Sequence, residues 1–414
     1  MNGHHPPMTA KPFSLPGRTW TVLAVVVATL LGSLVFYLHS PWGHGDVDLY
    51  RRYARAFWLG PHAFHSLPAE YPILSLLPFS LTLLPPLPDD VTVYGLWMLL
   101  LLIVGLLAVA RREAPRVAET CGVYLALGGF GTVLGRFDLV PAAVVAGAWW
   151  AVRDRRFVLA YTLLAAGTLL KLYPLFLLPV VVIEHRRCLG GPIRSRPPRA
   201  LVGGVALYAG AVAAGFAVAW LLAPGSWLDP ILYERARPLQ VESVPASLLW
   251  LSGLIGFSVR PDHSFHSYNL VGTLAGPLSA LSLLALAAGC LSTYWRQARG
   301  RIGFGPALVL SLLVVICTSR VLSPQYLIWA LPLVAFLERG HRRRWLGVCA
   351  LTTAVFPFGY ELSSLHGTGA PAYPEPFLAL IAARNALLVA STVGLLRSVP
   401  AAEPEPRRLV GSVL

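Results

Sequence analysis

Hydrophobic runs of roughly 12 to 25 residues recur along nearly the whole chain, beginning with WTVLAVVVATLLGSLVFYL at Trp20–Leu38. About 20 apolar residues make a helix long enough to cross the roughly 30 Å hydrocarbon core of a bilayer. In that core every backbone amide must be satisfied within the chain, so such runs fold as helices. The chain has 56% hydrophobic and 13% charged residues, whereas a soluble domain has roughly 25% charged. The fold class is therefore all-α integral membrane. The first run is long and no small-residue cleavage site follows it, which speaks against a cleavable signal peptide.

A formal net charge of +14 would suggest nucleic acid in a soluble protein. Here the excess is arginine at the ends of the runs, the pattern that orients helices with their basic ends in the cytoplasm. Of the basic residues only Lys11 and Lys171 are lysine. The clusters are RREAPR (111–116), RDRR (153–156), HRRCLGGPIRSRPPR (185–199), RQARGR (296–301) and RGHRRR (339–344). With all of them inside, about 12 spans fall at 18–38, 91–110, 117–134, 138–152, 157–171, 173–184, 200–223, 270–294, 302–320, 325–338, 345–358 and 376–397. Residues 18–397 then form one membrane-embedded domain, and 1–17 and 398–414 are cytoplasmic tails. Pro141, Pro174 and Pro332 predict broken or tilted helices. The stretch YPILSLLPFSLTLLPP (71–86) is short, and counting it as a span would put RREAPR outside. It reads as a re-entrant or interfacial segment. The five scattered cysteines show neither a disulfide framework nor metal-ligand spacing.

Charge outside the arginine clusters gathers on the other face. It lies in or beside a first outer loop (39–90), a large outer loop (224–269) and the short connections 135–137, 171–173, 320–324 and 359–375. An ionised group at a span end is expensive unless it is paired or functional. In HGDVDLYRRYARAFW (44–58), Tyr50, Tyr53 and Phe57 recur at helical spacing with Arg51, Arg52 and Arg55 on other sides. That predicts an interfacial amphipathic helix. Asp46 and Asp48 at its start either cap it and complement its dipole, or one of them serves as a general base or substrate anchor. Glu70-Tyr71-Pro72 is either a turn or a hydroxyl-binding group at a cavity mouth. Arg136 and Asp138 in GRFD read as an ion pair stapling a hairpin, or as part of a site. Lys171, before Leu172-Tyr173-Pro174, either snorkels or meets a lipid phosphate. The stretch Arg235–Ser243, holding Arg237, Gln240 and Glu242, reads as a lid, and Arg320 and Gln325 mark a further outer tip. His263, His266 and His366 read as ordinary loop histidines. Several polar constellations at similar depth suit a substrate that is half lipid and half polar.

In order and spacing, Asp-x-Asp-Leu-Tyr, Glu-Tyr-Pro, Arg-Phe-Asp-Leu, Lys-Leu-Tyr-Pro, Arg-x-x-Gln-x-Glu-Ser and Ser-Pro-Gln-Tyr resemble glycosyltransferase family 87, over about Asp46–Leu331. Glu-Tyr-Pro-Ile stands where relatives usually carry Glu-Tyr-Pro-Pro. The resemblance implies a GT-C-type polytopic helical bundle in the cell inner (plasma) membrane, with interfacial helices in the first outer loop and the active site on the extracytoplasmic side. It implies a hexosyltransferase that takes a sugar, commonly mannose, from a polyprenyl-phosphate carrier and gives it to a glycolipid or cell-envelope glycan. The catalytic aspartate maps by position to Asp46, with Asp48 second. The substrate-binding set is Tyr50, Arg52, Glu70, Tyr71, Arg136, Asp138, Lys171, Tyr173, Arg237, Gln240, Glu242, Arg320 and Gln325.

The chemistry expected is inversion at the anomeric carbon, with a carboxylate taking the acceptor proton and Arg136, Lys171, Arg237 and Arg320 balancing the leaving phosphate. A single phosphate with such neighbours can do without a metal, and no cofactor is expected beyond the donor substrate. Membrane lipids are the surrounding partner, and nucleic acid is not one. Rival readings are a transporter or flippase of a lipid-linked sugar, which would show repeats and a midplane polar path, a glycan ligase or polymerase, and a structural scaffold.

Overall fold

The computed structural model describes residues 17–86, 89–190, 197–337, 342–365 and 373–398. The two expected tails, but for Gly17 and Ser398, lie outside the described residues, as does His366.

The chain begins with α1 (Gly17–His39), α2 (Pro41–Leu59), α3 (Leu76–Ser80), α4 (Asp90–Arg112), α5 (Pro115–Gly128), α6 (Leu139–Arg153), α7 (Phe157–Leu170), α8 (Leu178–Cys188) and α9 (Arg199–Leu222). The long segment between α9 and the next long helix holds α10 (Asp229–Ala236), β1 (Leu239–Gln240), α11 (Val244–Gly253), β2 (Val259–Ser264) and β3 (Ser267–Gly272). Then come α12 (Ala275–Ala298), α13 (Phe304–Thr318), α14 (Tyr326–Leu337), α15 (Arg342–Thr353), α16 (Tyr360–Leu365) and α17 (Glu375–Ser398). Local chemistry sets several boundaries. The Asp89 side chain accepts from Thr92 N at 3.0 Å to cap α4, whose last turn carries Arg111 and Arg112 against its dipole. Ser243 caps α11 in the same way, accepting from Ala246 N at 3.1 Å. Phe356 departs to φ −129° and ψ 122° ahead of Pro357 and separates α15 from α16.

Each of the twelve segments expected to cross the bilayer carries helix. Among the described residues, five stretches are long and apolar enough to span by length and composition: Val91–Arg112, Arg199–Leu222, Ala275–Ala298, Arg342–Ser363 and Glu375–Arg397. Others are shorter, such as Phe157–Leu170 and Tyr326–Leu337. The core lies where α13 and α14 pack together, with α14 also against α5 and α6. From Leu327 to Ala335 every residue of α14 is buried. In contrast α9 and α12 leave Leu207, Trp220, Leu221, Leu281, Leu284 and Leu291 exposed. Apolar side chains outside a bundle are what acyl chains would cover. At the arginine-rich ends, Arg112 meets Asp154 at 2.6 Å, and Arg153 and Trp150 both reach Glu113, tying the α4–α5 turn to the α6–α7 turn.

Two features of the connecting segments differ from expectation and one agrees with it. Helix α2 starts at Pro41 and has no acid in its first turn, so Asp46 and Asp48 do not cap it. Residues 71–86 agree with the expectation that they do not span: they hold only short helical turns, Ile73–Leu83, too short to cross. The long α9–α12 connection is not purely helical: it carries a small antiparallel sheet in the order β1-β3-β2, and residues through Gly272, expected to begin a span, are strand.

Candidate active site

Several connections between the helices converge on one cavity of about 590 Å³. Its lining comes from α2 (Asp46), the segment before α3 (Glu70, Tyr71), the end of α7 (Lys171, Tyr173), α10 and its exit (Tyr233, Arg235, Arg237), the β2–β3 turn (Phe265, His266) and the α13–α14 connection (Arg320, Gln325, Tyr326, Trp329). Apolar side chains also line it, Leu283 and Leu286 of α12 and Val315 of α13, beside the hydroxyls of Ser279, Ser282 and Thr318.

Asp46 reaches this cavity because α2 is amphipathic. Val47, Tyr50, Ala54 and Phe57 are buried along one stripe, while Arg52 and Arg55 are exposed. Tyr50 stacks on Phe79 at 4.3 Å and packs against Tyr71, Tyr94 and Phe137. That aromatic block fixes the rotation of α2 and presents Asp46 to the cavity. Asp46 Oδ2 is 3.0 Å from Arg136 Nε, whose side chain is 10% exposed. Burial is the largest single influence and works against the Arg136 charge, but Asp46, Tyr50, Tyr71 and Asp138 together outweigh it and its pKa is raised. Asp48 points elsewhere: its partner is Arg51, at 3.0 Å and one turn along, on the partly exposed side of α2.

Phe137 is fully buried in the same block and sends its two neighbours in different directions. Arg136 and Asp138 do not pair with each other as a hairpin staple. Asp138 Oδ1 instead accepts from Lys171 Nζ and from Trp329 Nε1, each at 2.6 Å. Nor does Lys171 snorkel. Its amine lies over the rings of Tyr71, Phe137, Tyr326 and Trp329, at 5.7, 5.0, 5.1 and 4.8 Å. A cation among ring faces is stabilised by their quadrupoles, and the aspartate supplies the counter-charge. Tyr173, Trp329 and Tyr326 form a continuous stack, with centroids 4.2 and 4.1 Å apart.

Two further cations differ in how committed they are. Arg320 Nη2 donates to the carbonyls of Glu234 and Arg235, at 2.8 and 3.1 Å, and so closes the C-terminal end of α10. Arg237 has a longer contact to Glu234, 3.4 Å, and its Nε is buried with no partner among the described residues. Glu70 accepts from Tyr53 Oη at 3.3 Å and lies within hydrogen-bonding reach of Tyr233. Burial raises its pKa, and the Asp46 charge adds to the rise.

Some expected site residues stand off the cavity. Arg136, Asp138 and Tyr50 sit behind its wall and orient what lines it. Arg52 is exposed on α2. Gln240 is structural: its side-chain oxygen accepts from Leu322 N at 3.0 Å and its backbone N–H donates to Arg320 O at 2.9 Å. Glu242 is 1% exposed, and its carboxylate accepts from Arg384 and Tyr360 at 3.1 and 2.9 Å. It balances an arginine embedded in α17 rather than facing substrate. A lone arginine in FLALIAARNALLVAS was the signal for that pair, since a charge inside a span requires a partner. Tyr233, Tyr326 and Trp329 were also missed; aromatics in an apolar chain carry no special pattern.

A profile of glycosyltransferase family 87 matches residues 70–324, more than half of the chain. No curated protein matches it. The matched stretch holds Glu70, Arg136, Asp138, Lys171, Arg237 and Arg320, and Asp46 lies ahead of it. The chain belongs to glycosyltransferase family 87 and is a helical membrane glycosyltransferase.

Proposed function

We propose that this enzyme moves a hexose, in the first instance mannose, from a polyprenyl-phosphate carrier to a glycolipid or cell-envelope glycan, at the outer face of the plasma membrane, within a GT-C-type bundle of about twelve spans. The observation that carries the reading is that Asp46, Lys171, Arg237 and the apolar residues Leu283 and Leu286 share one cavity. A polyprenyl phosphate needs both kinds of surface: a hydrocarbon wall for its chain and cations for its phosphate.

Asp46 is the proposed general base. Arg136 engages Oδ2, and Oδ1 takes the proton of the acceptor hydroxyl as that oxygen attacks the anomeric carbon. The bond to the phosphate oxygen breaks on the opposite face, which inverts the anomer. The departing lipid phosphate becomes a dianion, and preorganised cations are worth most where charge develops in a site sheltered from water. Lys171 and Arg237 are the proposed groups, with Arg320 holding α10 in place beside them. General base catalysis of this kind contributes typically ~10²–10⁴-fold.

Mass analysis of cell-envelope glycolipids after deletion of the gene tests the reaction, with a glycolipid one hexose short as the expected result. An unchanged glycolipid profile counts against it. Sidedness is tested by placing a cysteine at the partly exposed Asp48 position. A membrane-impermeant maleimide should label Asp48→Cys in intact cells, and labelling only after lysis removes the outer-face assignment.

A further inference from the structure

The β2–β3 hairpin turns through Phe265 and His266, and both have left-handed backbones, with φ of 54° and 49°. Its register closes with Ser264 opposite Ser267, which makes a two-residue turn with both central residues at positive φ. Asn-Gly suits such a turn. An aromatic residue is an outlier there, because its Cβ crowds the backbone. Unfavourable backbones of this kind gather at functional sites. Both residues line the cavity that holds Asp46, and His266 is exposed to it. The tip is also held in place. Tyr233 Oη donates to Phe265 O at 2.9 Å, and the two rings meet edge to face at 5.2 Å. Tyr233 in turn meets Glu70, which Tyr53 ties back to α2. A chain of contacts thus runs from the hairpin tip to the helix that carries Asp46.

We propose that Phe265 and His266, backed by Glu70 and Tyr233, form the subsite that selects the sugar acceptor, a polyhydroxylated headgroup. This rests on the transferase reading above. The residues that line the cavity differ in chemistry. Leu283, Leu286 and Val315 offer nothing to a hydroxyl but suit a hydrocarbon chain, and Lys171 and Arg237 suit a phosphate. The tip offers a ring face, an imidazole, a phenol and a carboxyl, which stack on a sugar ring and exchange hydrogen bonds with its hydroxyls. An acceptor seated there shares one cavity with Glu70 and Asp46 and can offer its hydroxyl to Asp46. Phe265 and His266 then govern which acceptor is used, without acting in the bond-breaking step.

The test replaces the tip by the residues its backbone favours, Phe265→Asn with His266→Gly, so that the hairpin keeps its shape. The assay uses polyprenyl-phospho-[14C]mannose as donor and the glycolipid fraction of the host's own membranes as acceptor. The half-saturating acceptor concentration should rise about tenfold or more while that of the donor stays within about twofold. The unfolding midpoint should hold or rise. His266→Asn, which tolerates the left-handed backbone, gives the same reading in smaller measure if the double variant folds poorly. Unchanged acceptor saturation with intact turnover overturns the subsite, and so does an equal rise for donor and acceptor. No transfer by the unsubstituted protein overturns the transferase reading and the subsite with it.

Discussion

Arg136 Nε lies 3.0 Å from Asp46 Oδ2 and joins the turn before α6 to the helix that follows the first apolar run. Arg136 does not line the cavity, so its effect on substrate runs through Asp46. Arg136→Met should lower turnover by about 10- to 100-fold, the range seen when a group that orients a metal ligand is removed and carried here to a carboxylate, while donor KM changes little. Arg136→Lys should recover part of the loss. Equal damage to donor KM would mean that Arg136 binds the phosphate itself.

Lys171 and Asp138 form a nearly enclosed pair, with side chains 12% and 1% exposed. Asp138→Asn leaves the ammonium among four rings without a counter-charge. Breaking a buried pair typically costs about 3–5 kcal/mol, and a thermal melt in detergent should show a large drop. The double variant Asp138→Leu, Lys171→Met should recover much of that stability yet bind donor poorly. Recovery of donor binding along with stability would show the pair to be structural only.

Sequence carried the helical skeleton and most of the cavity because both follow from local chemistry. Apolar runs must form helix in a membrane, and charges at their outer ends must be paired or used. The distinction between Asp46 and Asp48 was not legible, because two acids two positions apart fall on different faces of α2 and only the Tyr50 aromatic block sets which face turns inward. Glu242 was misjudged for a related reason. Its partner Arg384 is 142 positions away, and no local pattern links a polar loop to an arginine in the last long helix. The hairpin escaped notice because Phe265-His266 is not a turn sequence: its backbone contradicts local preference.

Glu70 carries a pH dependence of definite sign. Burial raises its pKa in the folded protein. A raised carboxyl binds its proton more tightly folded than unfolded, so its contribution to stability is fully present below the unfolded value of about 4.3 and is lost as pH rises through the folded value. Glu70→Gln removes this loss. The unfolding midpoint of the variant, relative to the unsubstituted protein, should climb as pH is raised through that window. A difference that is flat with pH contradicts the assignment.

Glu242 and Arg237 should separate cleanly. Glu242→Gln weakens the counter-charge of the buried Arg384 and should lower the yield and melting point of folded protein, with donor KM near normal in what folds. Arg237→Ala should do the reverse, leaving folding largely intact and raising donor KM by about 10- to 150-fold, as expected when a charged hydrogen bond worth about 1.5–3 kcal/mol is lost. If Glu242→Gln raises donor KM while melting normally, the buried network is not its role.

The most direct measurement is single-turnover transfer from labelled polyprenyl-phosphomannose by purified Asp46→Asn, beside Asp48→Asn and the unsubstituted enzyme. Asp46→Asn should bind donor within a few-fold of normal and lose about 10²–10⁴-fold in transfer, while Asp48→Asn, whose side chain pairs with Arg51 away from the cavity, keeps most of its rate. Transfer that survives in Asp46→Asn, or that is lost in Asp48→Asn instead, contradicts the account.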